Sequence, residues 1–188
     1  MATTVRSTTT ALESKPRYRN VSEILLRNSN PDRLDAFLST GHKCDRDFWE
    51  CLCVAWMRCE SVTIDKSCWV SLMGSKRPGK EKWLMTKEEV AFLNNLPDTV
   101  TVYRGCPVKK SNGLSWTLDR EKALWFANRF NFKKKEWPFD QDCCLIEGTV
   151  KKKHILAYLN GRNESEIVCD SRYVRGKKKE IVAPPRRR

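Results

Sequence analysis

The chain has 188 residues and a formal net charge of +13, with 40% hydrophobic and 31% charged residues. That length and mix describe one globular domain, or one domain with a small appended lobe, able to bury a sizeable core. No stretch approaches the roughly 20 apolar residues of a membrane helix, which excludes a helical span, and the excess positive charge favours an anionic partner such as nucleic acid, a nucleotide or an acidic protein surface.

In chain order, residues 1–17 are Thr- and Ser-rich with little to bury, and they read as a disordered tail. Residues 18–98 read as a helical lobe. Val21, Ile24 and Leu25 share one helical face, and Pro31 opens a short helix with Leu34, Phe37 and Leu38 inward. Residues 45–60 carry the clearest helical stripe, with Phe48, Leu52, Ala55, Trp56 and Cys59 directed to the core. Ser67 to Met73 form a further helical turn, and Gly74 to Lys80 a basic loop turning at Pro78-Gly79. Thr86 and Glu89 have capping-box spacing, so a helix starts there, carries Val90, Leu93 and Leu96, and stops at Pro97-Asp98.

Residues 99–174 change character and read as a β-rich core. Val100 to Tyr103 and Leu114 to Thr117 are strand-like. Asp119 to Phe130 is a helix with Ala123, Phe126, Ala127 and Phe130 on one stripe, followed by a basic, aromatic loop to Gln141. Cys143 to Val150, His154 to Leu159 and Glu166 to Cys169 are further strands, and a last one runs through Tyr173-Val174 or Ile181-Val182. Residues 175–188 read as a basic tail. Helices first and strands after make an α+β fold, a helical N-terminal lobe packed on a mostly antiparallel sheet, with 18–174 as one compact domain.

Nine cysteines without a secretory signal in Met1 to Thr10 point to reduced thiols in a cytoplasmic protein. His42, Cys44, Cys51, Cys53, Cys59 and Cys68 cluster, but no Cys-x2-Cys pair occurs, so the cysteines read as small buried hydrophobes and no metal is expected. Phosphate-loop, dinucleotide-turn and nucleophile-elbow motifs are missing, and the two histidines have no nucleophile at readable spacing.

Three short pieces remain. Arg104 ends a strand beside Gly105; its planar charged fork suits phosphate oxygens, and the glycine admits close approach of a ligand. Ser115 and Thr117 share one strand face, where hydroxyls can bind ribose or brace a carboxylate; Thr117 also reads as the cap of the next helix. Glu164 and Glu166 lie on one side of an extended segment at a strand entrance, where mutual repulsion raises one pKa and suits charge stabilisation by one and proton handling by the other.

In this order, Val102-Tyr103-Arg104-Gly105, Ser115-Trp116-Thr117 and Glu164-Ser165-Glu166 resemble the motifs of the Arg–Ser–Glu class of ADP-ribosyltransferases, over Val100 to about Val174. The segment from Leu96 to Phe130 also looks like small phage and bacterial proteins of this kind. The resemblance implies a split β-sandwich, with residues 99–174 as an NAD-binding catalytic core and NAD as co-substrate. Arg104 would hold the NAD phosphates, Gly105 would let the backbone meet the nicotinamide amide, and Phe126 would wall that pocket. Ser115 would bind the nicotinamide ribose and orient Glu166, the catalytic glutamate, with Thr117 beside it. Glu164 would orient or deprotonate the acceptor nucleophile, arginine being favoured. Trp116 departs from the small residue often found within the serine motif, and the stretch before the glutamates is short.

The expected function is therefore mono-ADP-ribosylation of a protein or nucleic-acid-associated acceptor, in the manner of a phage or bacterial effector acting on host or defence machinery from the (host) cytoplasm. A second reading is a non-enzymatic basic protein that inhibits a partner complex by binding, its site degenerate and its Lys133–Lys135, Lys151–Lys153 and C-terminal basic runs contacting nucleic acid. A plain nucleic-acid-binding domain ranks third, because no ribonucleoprotein signature is present.

Overall fold

The computed structural model describes residues 33–39, 41–42, 44–59, 65–132 and 142–182, with the side chains of 130–132 excepted. These residues form six helices, α1 (Arg33–Leu38), α2 (Asp45–Arg58), α3 (Lys66–Met73), α4 (Lys80–Trp83), α5 (Lys87–Asn95) and α6 (Arg120–Phe132). The strands are β1 (Thr99–Pro107), β2 (Ser115–Thr117), β3 (Cys143–Lys151), β4 (Ile155–Leu159), β5 (Glu166–Cys169) and β6 (Arg175–Val182). They make one open sheet in the order β4-β5-β2-β1-β3-β6, and every pairing is antiparallel. The α+β class and the helices-then-strands order are as the sequence predicts.

Both sheet faces are covered, and strand alternation decides which residue goes where. One core gathers Leu34, Phe37, Phe48, Trp49, Leu52, Trp56, Trp69 and Met73 from the helices against Ala157, Leu159 and Val168 of the sheet. The spacing on α2 is what turns Leu52 and Trp56 inward together. A second core holds Val100, Val102, Trp116, Ile146, Tyr158 and Ile167, drawn from five strands. Trp116 goes to this second core while its neighbours Ser115 and Thr117 face the other way.

Local chemistry sets the helix starts. In α5 the capping box is complete: Thr86 Oγ1 accepts from the Glu89 amide at 3.2 Å, and Glu89 Oε2 from the Thr86 amide at 2.8 Å. The other carboxylate oxygen of Glu89 accepts from the Asn160 amide at 2.6 Å, which explains how a glutamate is buried there. At α6 the cap is Asp119, whose Oδ1 accepts from the amides of Glu121 and Lys122 at 2.8 and 3.1 Å, and not Thr117.

Several expectations need correction. Arg175–Val182 is not tail but strand, paired with β3 from Thr149↔Arg175 to Cys143↔Val182. Its near-continuous basic composition hid the alternation that identifies half-buried strands, because an edge strand with exposed side chains does not show it. β1 runs on to Pro107, so Arg104 is mid-strand and not at a strand end. Leu38 is 55% exposed and Ala36 takes the inward place. The basic loop after Gly74 ends in the short helix α4. The proposed tail at 1–17, the Val21 helix, the loop after Phe132 as far as Gln141 and residues 183–188 lie outside the described residues.

Candidate functional site

Glu166 opens β5 and is 3% exposed. Its register partners are Leu159 on β4 and Thr117 on β2, and Thr117 in turn lies opposite Tyr103 on β1. Directly paired residues share a face, so these four form one row across the sheet, with Ser115 two positions along on the same side. The Glu166 carboxylate is reached from two other parts of the chain. Trp56 Nε1 of α2 donates to Oε2 at 3.2 Å and the Arg162 guanidinium approaches the same oxygen at 3.4 Å, while the Ser115 hydroxyl on the neighbouring strand favours the ionised carboxylate. Burial nevertheless dominates and raises its pKa above the ordinary value, with the Ser115, Arg162 and Trp56 interactions pulling the other way and Glu164 adding a further rise.

Glu164 joins Glu166 through the same arginine: Arg162 Nη2 lies 2.9 Å from Glu164 Oε2 while Nη1 donates to the Met57 carbonyl at 2.8 Å. The segment is not extended as expected. Asn163 and Ser165 have φ of 54° and 45°, in the left-handed region that side chains other than glycine seldom adopt. The turn is fixed by four bonds. The Asn163 amide donates to the Asn160 carbonyl at 2.8 Å and the Ser165 amide to Asn160 Oδ1 at 2.9 Å. Thr117 Oγ1 donates to the Glu164 carbonyl at 2.6 Å, and the Leu118 amide to the Ser165 carbonyl at 3.1 Å. The Thr117 hydroxyl, which also accepts from the Asp119 amide at 3.0 Å, is thus committed to holding the glutamate turn.

Arg104 alternates with the buried Val102 and Cys106 and sits on their side of β1, not in the Glu166 row. Its guanidinium still bridges to β2. β1 and β2 share the single pair Tyr103↔Thr117, and beyond it Arg104 Nη1 donates to the Ser115 carbonyl and Nη2 to the Lys110 carbonyl at 3.3 Å. Gly113 makes this possible, since a Cβ there would stand 2.1 Å from the guanidinium. Arg104 Nε is buried without a hydrogen-bond partner. Beside it, Cys106 lies opposite Cys144 of β3, and its pKa is lowered by that neighbouring thiol and then by the Arg104 charge, against the effect of burial.

Gly105 serves packing. A Cβ on it would lie 1.7 Å from the Ala123 carbonyl of α6, so the space expected for a ligand at its Cα is filled by that helix. Phe126 is half-buried on the same helix, its ring 5.0 Å from that of Trp125. The structure therefore assembles Ser115, Thr117, Glu164 and Glu166 tightly, attaches Arg104 through the Ser115 backbone, and puts Gly105 and Phe126 at the α6 contact.

Two partners were not anticipated as site residues. Trp56 reads from sequence as core, yet a buried indole N–H needs an acceptor, and that need was the available signal. Arg162 precedes the glutamates by two and four residues, and a lone cation so placed is the natural neutraliser of the pair. Among the described residues no group of three His, Cys, Asp or Glu side chains is arranged to hold a metal, and no helix is long and apolar enough to cross a membrane. Comparisons with protein-family models, curated proteins and solved structures return no match to this chain.

Proposed function

We propose that the chain is an NAD-dependent mono-ADP-ribosyltransferase with Glu166 as its catalytic glutamate. The observation that carries this reading is a buried carboxylate directly opposite the Ser115/Thr117 strand, with a second carboxylate joined to it through Arg162. The resemblance of the Arg104, Ser115 and Glu164/Glu166 motifs supplies the identity of the substrate.

Glu166, ionised, accepts the 2′-hydroxyl of the nicotinamide ribose. Its negative charge stabilises the positive charge that develops as the carbon–nitrogen bond breaks and nicotinamide leaves with the electron pair. Ser115 orients that carboxylate. Arg104 supplies a fixed positive charge for the phosphates and ties down the Ser115 backbone. Glu164 takes the proton of the attacking acceptor once Arg162 releases it, and Thr117 braces the turn. The acceptor is a protein side chain, arginine favoured, or a nucleic-acid-associated group. The setting is that of an effector aimed at host or defence machinery from the cytoplasm.

The test is turnover of etheno-NAD or isotopic NAD in a cell lysate. Glu166→Gln keeps the shape and removes the charge, so it should lose on the order of a hundredfold or more in rate. Because burial lifts the Glu166 pKa, the acid limb of the wild-type rate should lie above the usual glutamate value of about 4.3. Absence of both label transfer and NAD hydrolysis, or a Gln variant as active as wild type, overturns the reading.

A further inference from the structure

The strongest unassigned surface is the edge formed by β6 with the outer side of α6. Among the described residues β6 is an outer strand of the sheet, and its exposed Arg175 and Lys178 lie on the α6 side, Lys179 on the other. Arg120 of α6 reaches Glu180 of β6 at 3.5 Å, so the two elements present adjoining surfaces. On α6, Ala123 and Ala127 face Gly105, which turns Trp125 outward. Trp125 is 54% exposed, and the Arg129 guanidinium stands over its ring at 5.6 Å.

Lysines on an edge strand have a simpler use: they discourage pairing with another sheet. That use does not call for an exposed tryptophan on the adjoining helix. A flat aromatic beside a row of cations is instead what a single-stranded nucleic acid requires, one element to stack a base and the other to follow the backbone. We propose that the β6–α6 face binds single-stranded nucleic acid, with Trp125 as the stacking platform and Arg175 and Lys178 as phosphate contacts. This binding does not depend on NAD chemistry, so it stands or falls separately from the proposed enzymatic activity.

The test is fluorescence anisotropy of the full chain with a labelled 20-nucleotide single strand and with the corresponding duplex, read at several salt concentrations. With about four phosphates neutralised, doubling the salt should weaken single-strand binding about sevenfold. Trp125→Ala should cost about 5- to 150-fold, the range expected for loss of one stacked base. The double variant Arg175→Glu, Lys178→Glu should weaken binding and flatten its salt dependence. All these side chains are exposed, and circular dichroism melts of the variants should match wild type. The proposal is overturned if no binding occurs at low salt, if the duplex binds as tightly as the single strand, or if binding is indifferent to Trp125, which would indicate charge attraction alone.

Discussion

Glu166 couples the site to pH through its burial. Its folded-state pKa is raised above the ordinary 4.5, so the folded chain holds that proton more firmly than the unfolded chain does. The stabilisation this provides is complete below the ordinary value and is lost as pH rises through the raised one. Glu166→Gln has no proton to lose. Urea unfolding across pH 4 to 8 should therefore show wild type falling in stability relative to the Gln variant as pH rises. A difference that stays flat over that window would mean the carboxylate is not perturbed. Arg162 moderates the effect from outside, its side chain 40% exposed and its charge shared between Glu164 and Glu166. The glutamate pair was legible as a pair; its neutraliser was not, because the left-handed residues Asn163 and Ser165 curl the chain in a way that spacing alone does not reveal.

At the scale of elements, two glycines do opposite jobs beside one strand. Gly105 lets the backbone of α6 lie directly on β1, and a methyl group there would meet main-chain atoms of Ala123 and Ala127. Main chain yields poorly, so Gly105→Ala should destabilise the fold by about 1–3 kcal/mol or more, measured by urea unfolding. Gly113 meets instead the tip of Arg104. Gly113→Ala should cost less stability, because a side chain can swing away, yet it should displace Arg104 from the Ser115 carbonyl and reduce any NAD turnover. Equal losses of stability in the two variants would contradict this distinction. The strands and helices around these glycines were readable wherever apolar spacing was regular, as in α2, or a capping box was present, as in α5. β6 was read only at its end, Ile181-Val182, as the alternative to Tyr173-Val174, since its exposed basic side chains leave no buried face to read. The packing of α6 on Gly105 was not legible for a related reason: a glycine after an arginine looks the same in sequence whether a ligand or a helix approaches it.

Across the whole molecule, a buried polar bond from Trp56 to Glu166 joins the helical lobe to the sheet beside the core they share. Trp56→Phe keeps most of the ring and deletes the donor. It should cost about 1.5–3 kcal/mol, as for a hydrogen bond to a charged group, and should raise the Glu166 pKa further, moving the pH-dependent loss of stability upward. A melt unchanged in both respects would show the lobe to be mere cover. The helical lobe was foreseen as packing; its reach into the site was not, because a contact across the chain leaves no trace in local pattern. The same bond also sets an order of events. Its two residues stand 110 positions apart, so a ribosome adding about 5–20 residues per second delivers the carboxylate roughly 5–20 s after the indole. During that interval the nascent lobe has its tryptophan but no acid to hold, and the Glu166 site cannot exist before β5 has been made.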